Sequence, residues 1–456
     1  MTSTPAVGVG AGRIGGRSAN QTRGWPFALR SALLLGSLSL VFVASLATPT
    51  PAFALTDSLD LRATYEVTAQ INWKRATINV QSVAHVTNTR PDAIDRLTFN
   101  LLPLKLGKGK VEGASVDGVE ARVTVSDQSV LIDVPGRLEP GADARVRIDY
   151  TATFNTSPRK KKVLFMKKDN ILAAYRWIPW LSREQNFKTP NFGESWVTAV
   201  SPRVEVTLIS EKPLVFATSG RETGGQTLQQ TFVATDVRDF NFSASPNYSV
   251  RHETFNGIDV DIYTRSYSPD RLWKWARIAF DGFTDRVGPY PYSHFTIAET
   301  PEGIGMESPA MIWVDSSLEK ARFSYTVVHE TAHEWFYATV GNNQAADPFV
   351  DEALADFLTR DLLGSFRKSY CAKARLDGTV YEYGAACYPE VIYVQGGLYL
   401  NAYRAEVGAD AFWRGLQDFY RDKTFELAGT RSLLEHLDAA SGYDSSRHQD
   451  RFPTLY

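Results

Sequence analysis

From Asp57 to about Tyr248, apolar and polar residues alternate with a period of two. RVRIDYTATF sets Val146, Ile148 and Tyr150 against Arg147, Asp149 and Thr151, and RVEVTLI does the same with Val204, Val206 and Leu208. ATINVQSVAHV, VDGVEARVTV and SVLIDV are similar short runs, divided by turn formers such as Asp117-Gly118 and Pro135-Gly136. Successive side chains on a strand face opposite ways, so this rhythm predicts strands with one buried face. Many such strands without helical patterns between them predict an antiparallel β-sandwich or saddle.

The period changes near Arg251. IDVDIYT (Ile258–Thr264) still reads as a strand, but Ser268-Pro269 then supplies an N-cap and a first-turn proline. Leu272, Ala276, Phe280, Phe283 and Val287 follow at helical intervals, and Gly288 ends the run. HFTIAE is a further strand, and the stretches around Val328, Leu354, Leu400 and Phe412 are helical in pattern. No internal repeat is visible. The expected architecture is multi-domain α+β, with a β-domain over 55–250 and a mostly helical domain over 251–456.

Residues 1–54 read as a targeting segment. Arg23 and Arg30 precede the apolar run Ala32–Ala47, and TPTPAFA ends in an A-x-A site that predicts cleavage after Ala54. The run falls short of the roughly 20 residues that span a bilayer. Export to a secreted or extracytoplasmic location is expected, and retention as a membrane anchor is the alternative. The 456 residues are 43% apolar and 22% charged, enough to build a sizeable core. A net charge of −2 gives no electrostatic reason for a nucleic-acid partner. The basic cluster Arg159–Lys168 reads as a solvated hairpin or loop, with an anion site as the alternative. The two cysteines, Cys371 and Cys387, favour one disulfide over two free thiols in an exported chain.

The candidate chemistry lies in VVHETAHEWFY, which places two of seven histidines, His329 and His333, one helical turn apart. On a helix both imidazoles project from one face and can grip a divalent ion, with Glu330 beside them to act on bound water. A catalytic zinc takes three protein ligands and leaves one position open. With eighteen residues between it and His333, and beyond the helix stop GNNQAADP, Glu352 opens a new helix in FVDEALADF. It reads as the third ligand, or as a first-turn glutamate favoured by the helix dipole. Asp356, one turn on, is placed to orient a ligand histidine, or is a simple exposed aspartate.

HETAHEW, the eighteen-residue gap and DEALADF together resemble the gluzincin metallo-aminopeptidases, the group of aminopeptidase N and leukotriene hydrolase. VGPYPYSHFTIAE is similar to that family's strand approach to the site, and GMESP (Gly305–Pro309) to its exopeptidase motif on an edge strand. YVQGGLYLNAYRAEVGADAFWRGL (Tyr393–Leu416) resembles the helix that carries the family's catalytic tyrosine. The resemblance implies a thermolysin-like catalytic domain binding one Zn2+ through His329, His333 and Glu352, with Glu330 as general base. It implies that Gly305, Met306 and Glu307 bind substrate, Glu307 pairing with a peptide's free α-amine. It further implies that Tyr393 donates to the oxyanion, with Tyr388 and Tyr399 as alternative donors that lack the Y-x-x-G context.

The sequence departs from the family's pattern at several points. Ile304 stands where the exopeptidase motif has its first glycine, Ser308 replaces an asparagine or aromatic, and Gln395 replaces a lysine. AAYRWIP (Ala173–Pro179) offers no counterpart to the acid or amide with which relatives' β-domains hold the substrate amine. The family's large C-terminal helical domain has no counterpart before Tyr456, so an open cleft is expected. The expected activity is removal of N-terminal residues from free peptides. A zinc endopeptidase or other zinc hydrolase, and a non-catalytic extracellular binding protein, are the alternatives.

Overall fold

The computed structural model describes residues 58–157, 163–183, 197–301, 305–315, 317–318, 320–384 and 386–456. The targeting segment and the first part of the basic cluster lie outside the described residues. Phe165–Lys168 pairs antiparallel with Ile171–Ala174, so the end of that cluster is one arm of a hairpin.

The alternating runs form three sheets. The largest has eight strands, with Arg62–Asn72 near its middle, antiparallel to Thr77–Thr87, which in turn pairs antiparallel with Asp143–Thr153. Two four-stranded sheets complete the β-rich half. Tyr65 stacks on Trp180 at 4.3 Å, and its hydroxyl oxygen accepts from Leu181 N at 3.0 Å. One pairing departs from the antiparallel expectation: Arg62–Asn72 lies parallel to Val204–Ser210, in register Tyr65 to Val204.

The second half opens with a five-stranded mixed sheet. Ser249–Phe255 and Ile258–Thr264 form a hairpin; His294–Thr300 and Met311–Asp315 add parallel to it, and the short strand Met306–Ser308 closes the edge antiparallel. Against it pack the helices Pro269–Arg286, which begins after Ser268 with proline at its first turn, and Lys320–Ala332. Leu354–Leu363, Gly396–Val407, Ala409–Asp422 and Thr430–Ser441 follow. Among the described residues no helix is long and apolar enough to cross a membrane.

The described residues belong to one compact unit, and a single apolar core runs from Leu61 to Phe452. A buried arginine fastens its two halves. Arg238 donates from Nη1 to the Thr198 carbonyl at 3.0 Å, from Nε to Ala338 at 3.1 Å, and from Nη2 to Thr339 at 3.2 Å. Gly341 leaves room for it, because a Cβ there would lie 2.1 Å from Nη1. Arg238→Met is expected to strand these carbonyls and lower stability by about 3 kcal/mol or more. Urea unfolding of the purified variant checks this; a loss under about 1 kcal/mol would count against the arginine as a fastener.

Candidate metal centre

Helix Lys320–Ala332 carries His329, and His333 continues it by one residue, its N–H bonding the His329 carbonyl at 3.4 Å. A π-helical turn, Phe349–Ala353, then presents Glu352 at the head of Leu354–Leu363. Such turns recur at functional sites because the extra residue rotates side chains out of the ordinary helical rows. Here it aims Glu352 at the histidine pair.

Three acceptor atoms converge. His329 Nε2 stands 3.3 Å from His333 Nε2, and Glu352 Oε2 lies 3.4 Å from the first and 3.6 Å from the second. Ligands at about 2.0–2.2 Å from a tetrahedral zinc stand roughly 3.3–3.6 Å from one another, so the triangle has the dimensions of a zinc site. Glu352 Oε2 is buried without a hydrogen-bond partner. Burial alone would raise the Glu352 carboxyl, but the two imidazoles hold it well below the usual carboxylate range. Burial opposes charge on His333, yet Asp351 and Glu352 raise its pKa well above that of an ordinary histidine. The pocket favours positive charge, and a divalent cation meets that demand at the atoms that face inward.

The histidines are held by different means. His333 Nδ1 lies 3.1 Å from the Phe336 carbonyl and 2.7 Å from Asp351 Oδ1, contacts that leave Nε2 facing the centre. His329 is stacked instead, on Tyr325 at 5.3 Å and on Tyr393 at 5.5 Å, with Nδ1 making no hydrogen bond. Asp356 does not contact either ligand histidine by a hydrogen bond; it accepts from the Tyr325 hydroxyl at 2.5 Å and from Arg360 at 2.7 Å, and so acts on His329 only through Tyr325. Asp351, adjacent to Glu352 in the same motif, is the carboxylate that meets His333.

Glu330 is buried against Gly305. A Cβ at 305 would fall 2.1 Å from Glu330 Oε1, so a glycine here gives the carboxylate its place beside the strand Met306–Ser308. Burial pushes the Glu330 carboxyl up, with Glu307, Glu352 and Asp351 adding to the rise and His333 opposing it. Met306 is buried in the core, while Glu307 is half-buried. Carboxylate and imidazole atoms of Glu307, Glu330 and His333 lie within 4.8 Å of one another. Burial holds the Glu307 carboxyl up at about 8.

Tyr393 lies in a second π-helical turn, Pro389–Gln395, with its ring beside His329 and Tyr388. Tyr399 turns the other way, its hydroxyl 3.0 Å from His448 Nδ1. Cys371 and Cys387 are joined in a disulfide, with 5.9 Å between their Cα atoms, just before this turn. Buried Gln395 ties the disulfide's strand of chain down, donating to the Cys371 and Ala372 carbonyls at 3.3 and 2.9 Å.

No protein-family model matches the sequence, and no curated protein matches it. Solved structures do. A crystal structure of M1 zinc metallopeptidase from Deinococcus radiodurans aligns with a TM-score of 0.66 over 87% of this chain and 93% of that one, at 18% identity. The fold is that of an M1 zinc metallopeptidase. A mutant of the Deinococcus radiodurans protein bound to a Tyr-Ser-Ala substrate aligns at 0.66 and 18% identity, over 85% of this chain and 93% of that one. A mutant of a two-domain M1 zinc metallopeptidase bound to L-tryptophan matches at 0.66 and 18% identity, over 87% and 94%.

The fit to zinc has a direct consequence for stability. Removing divalent metal with a chelator is expected to lower Tm, and restoring zinc at 1,000 times Kd to add about 4 kcal/mol. Differential scanning calorimetry with and without chelator tests it; identical traces would show that these acceptors hold no metal.

Proposed function

We propose that the protein is an exported zinc aminopeptidase with a β-domain over 55–250 and a thermolysin-like catalytic domain over 251–456. The observation that carries the hydrolase reading is the set of three buried acceptors, 3.3–3.6 Å apart, beside the buried carboxylate of Glu330. A zinc ion held by His329, His333 and Glu352 would supply a water of pKa about 7 and polarise a carbonyl. Glu330 takes a proton from the attacking water and returns it to the leaving amine. Tyr393, stacked on His329, donates its hydroxyl hydrogen to the oxygen that gains charge.

Glu307 supports cleavage from the N-terminus. It stands within 4.8 Å of Glu330 and His333, so an ammonium group paired with it lies one residue from the reacting carbonyl. An endopeptidase has no such use for this carboxylate. The A-x-A leader and the Cys371–Cys387 bond support export to an oxidising compartment, as disulfides persist there.

Glu330→Gln is expected to retain zinc and lose activity by roughly 10²–10⁴-fold. Metal analysis alongside steady-state rates measures both, and a variant of near-normal activity would remove Glu330 from the chemistry. Free peptides should be cleaved and N-acetylated ones resisted, with Glu307→Ala losing about tenfold or more in kcat/KM on free peptides. Equal rates on blocked and free fluorogenic peptides would favour the endopeptidase reading.

A further inference from the structure

Between the acceptor triangle and the β-rich half lies one carboxamide. Gln344, in the loop between His333 and Glu352, is 8% exposed. Its Nε2 donates to Asp351 Oδ2 at 2.9 Å and to Glu307 Oε1 at 3.3 Å. Its Oε1 accepts from Arg176 Nη2 at 2.7 Å. Arginine can only donate, so Arg176 claims the carboxamide oxygen and leaves Nε2 to donate to the two carboxyl groups. Arg176 is itself fixed, with Nε 3.5 Å from Asp239 and Nη2 donating to the Tyr337 hydroxyl at 3.0 Å.

We propose that Gln344 is a positioning residue whose carboxamide joins the carboxylate receiving the substrate's amine to the carboxylate that meets a metal ligand. The inference rests on the zinc aminopeptidase reading. Glu307 Oε1 and Asp351 Oδ2 both accept from Gln344 Nε2, so one N–H2 group fixes the two carboxyl groups relative to each other. Asp351 then holds its other oxygen 2.7 Å from His333 Nδ1. The β-rich half contributes no acid or amide from AAYRWIP; through Arg176 it instead sets the angle of Gln344. Amine binding and metal retention therefore depend on the same side chain.

Two variants test this. Gln344→Met removes the donor and leaves Arg176 its contacts with Asp239 and Tyr337. Gln344→Glu keeps an acceptor for Arg176 and replaces the donor with a carboxyl oxygen facing Glu307 and Asp351. Both are expected to weaken zinc binding about 10–100-fold in a chelator competition read on the whole protein. Both should raise KM for free peptides roughly tenfold while kcat of the zinc-loaded enzyme changes far less. A purely structural role would lower Tm without this split. Parental zinc affinity and parental KM in both folded variants would overturn the inference and leave the aminopeptidase reading intact. A loss of zinc affinity with unchanged KM would overturn the link to Glu307. If the parental protein binds no zinc, or cleaves blocked and free peptides alike, the functional reading fails and takes the inference with it.

Discussion

Burying acceptors without donors is the constraint on which this structure turns. His329 Nε2, His333 Nε2 and Glu352 Oε2 face one another at 3.3–3.6 Å, and Glu330, Asp351 and Glu307 crowd the same space. An uncompensated cluster of this kind costs several kcal/mol for each desolvated charge. The directions of the pKa shifts describe the same deficit, with His333 and Glu330 both drawn toward their protonated forms. A dication makes good the shortage at the atoms where it is greatest. The edge strand, Gly305 and the π-helical turn at Glu352 shape the space around that ion.

Support for the centre comes from both halves of the chain. Tyr393 and Tyr325 flank the imidazole of His329, while Asp351 and the Phe336 carbonyl hold His333. Behind them, Arg176 and Arg238 reach out of the β-rich half into the loop that links the ligand histidines to Glu352. The division of labour is physical: helices fix where the ligands start, and buried guanidinium groups fix the irregular chain between them.

What could be read in the sequence was what depends on local periodicity. The pair His329 and His333 needs only the pitch of a helix, and Pro269 with its helix is announced by Ser268. The M1 fold shared with solved structures agrees with the resemblance drawn from HETAHEW and DEALADF. Other features rest on contacts that no local pattern encodes. The parallel pairing of Arg62–Asn72 with Val204–Ser210 joins strands far apart in the chain, and alternation says nothing about direction. Asp356 was expected beside a ligand because four residues make one α-helical turn. The π-helical turn at Phe349–Ala353 changes that spacing, and Asp356 meets Tyr325 and Arg360 instead. Asp351 was legible as a neighbour of Glu352, but its role required knowing where His333 points. Gln344 and Arg176 gave no signal at all, since each acquires meaning only from partners in another part of the fold.

Tyr337 sits at φ +142°, a region that side chains other than glycine rarely enter. Its hydroxyl is caught between Asp239 and Arg176, both supplied by the β-rich half. The loop between the ligand histidines and Glu352 is thus kept in an unfavourable shape by contacts from the β-rich half. The same loop leads on to Asp351, whose Oδ1 stands 2.7 Å from His333 Nδ1. The shape of the acceptor triangle is therefore a property of the whole chain, conditional on the β-rich half standing where Asp239 and Arg176 can hold Tyr337.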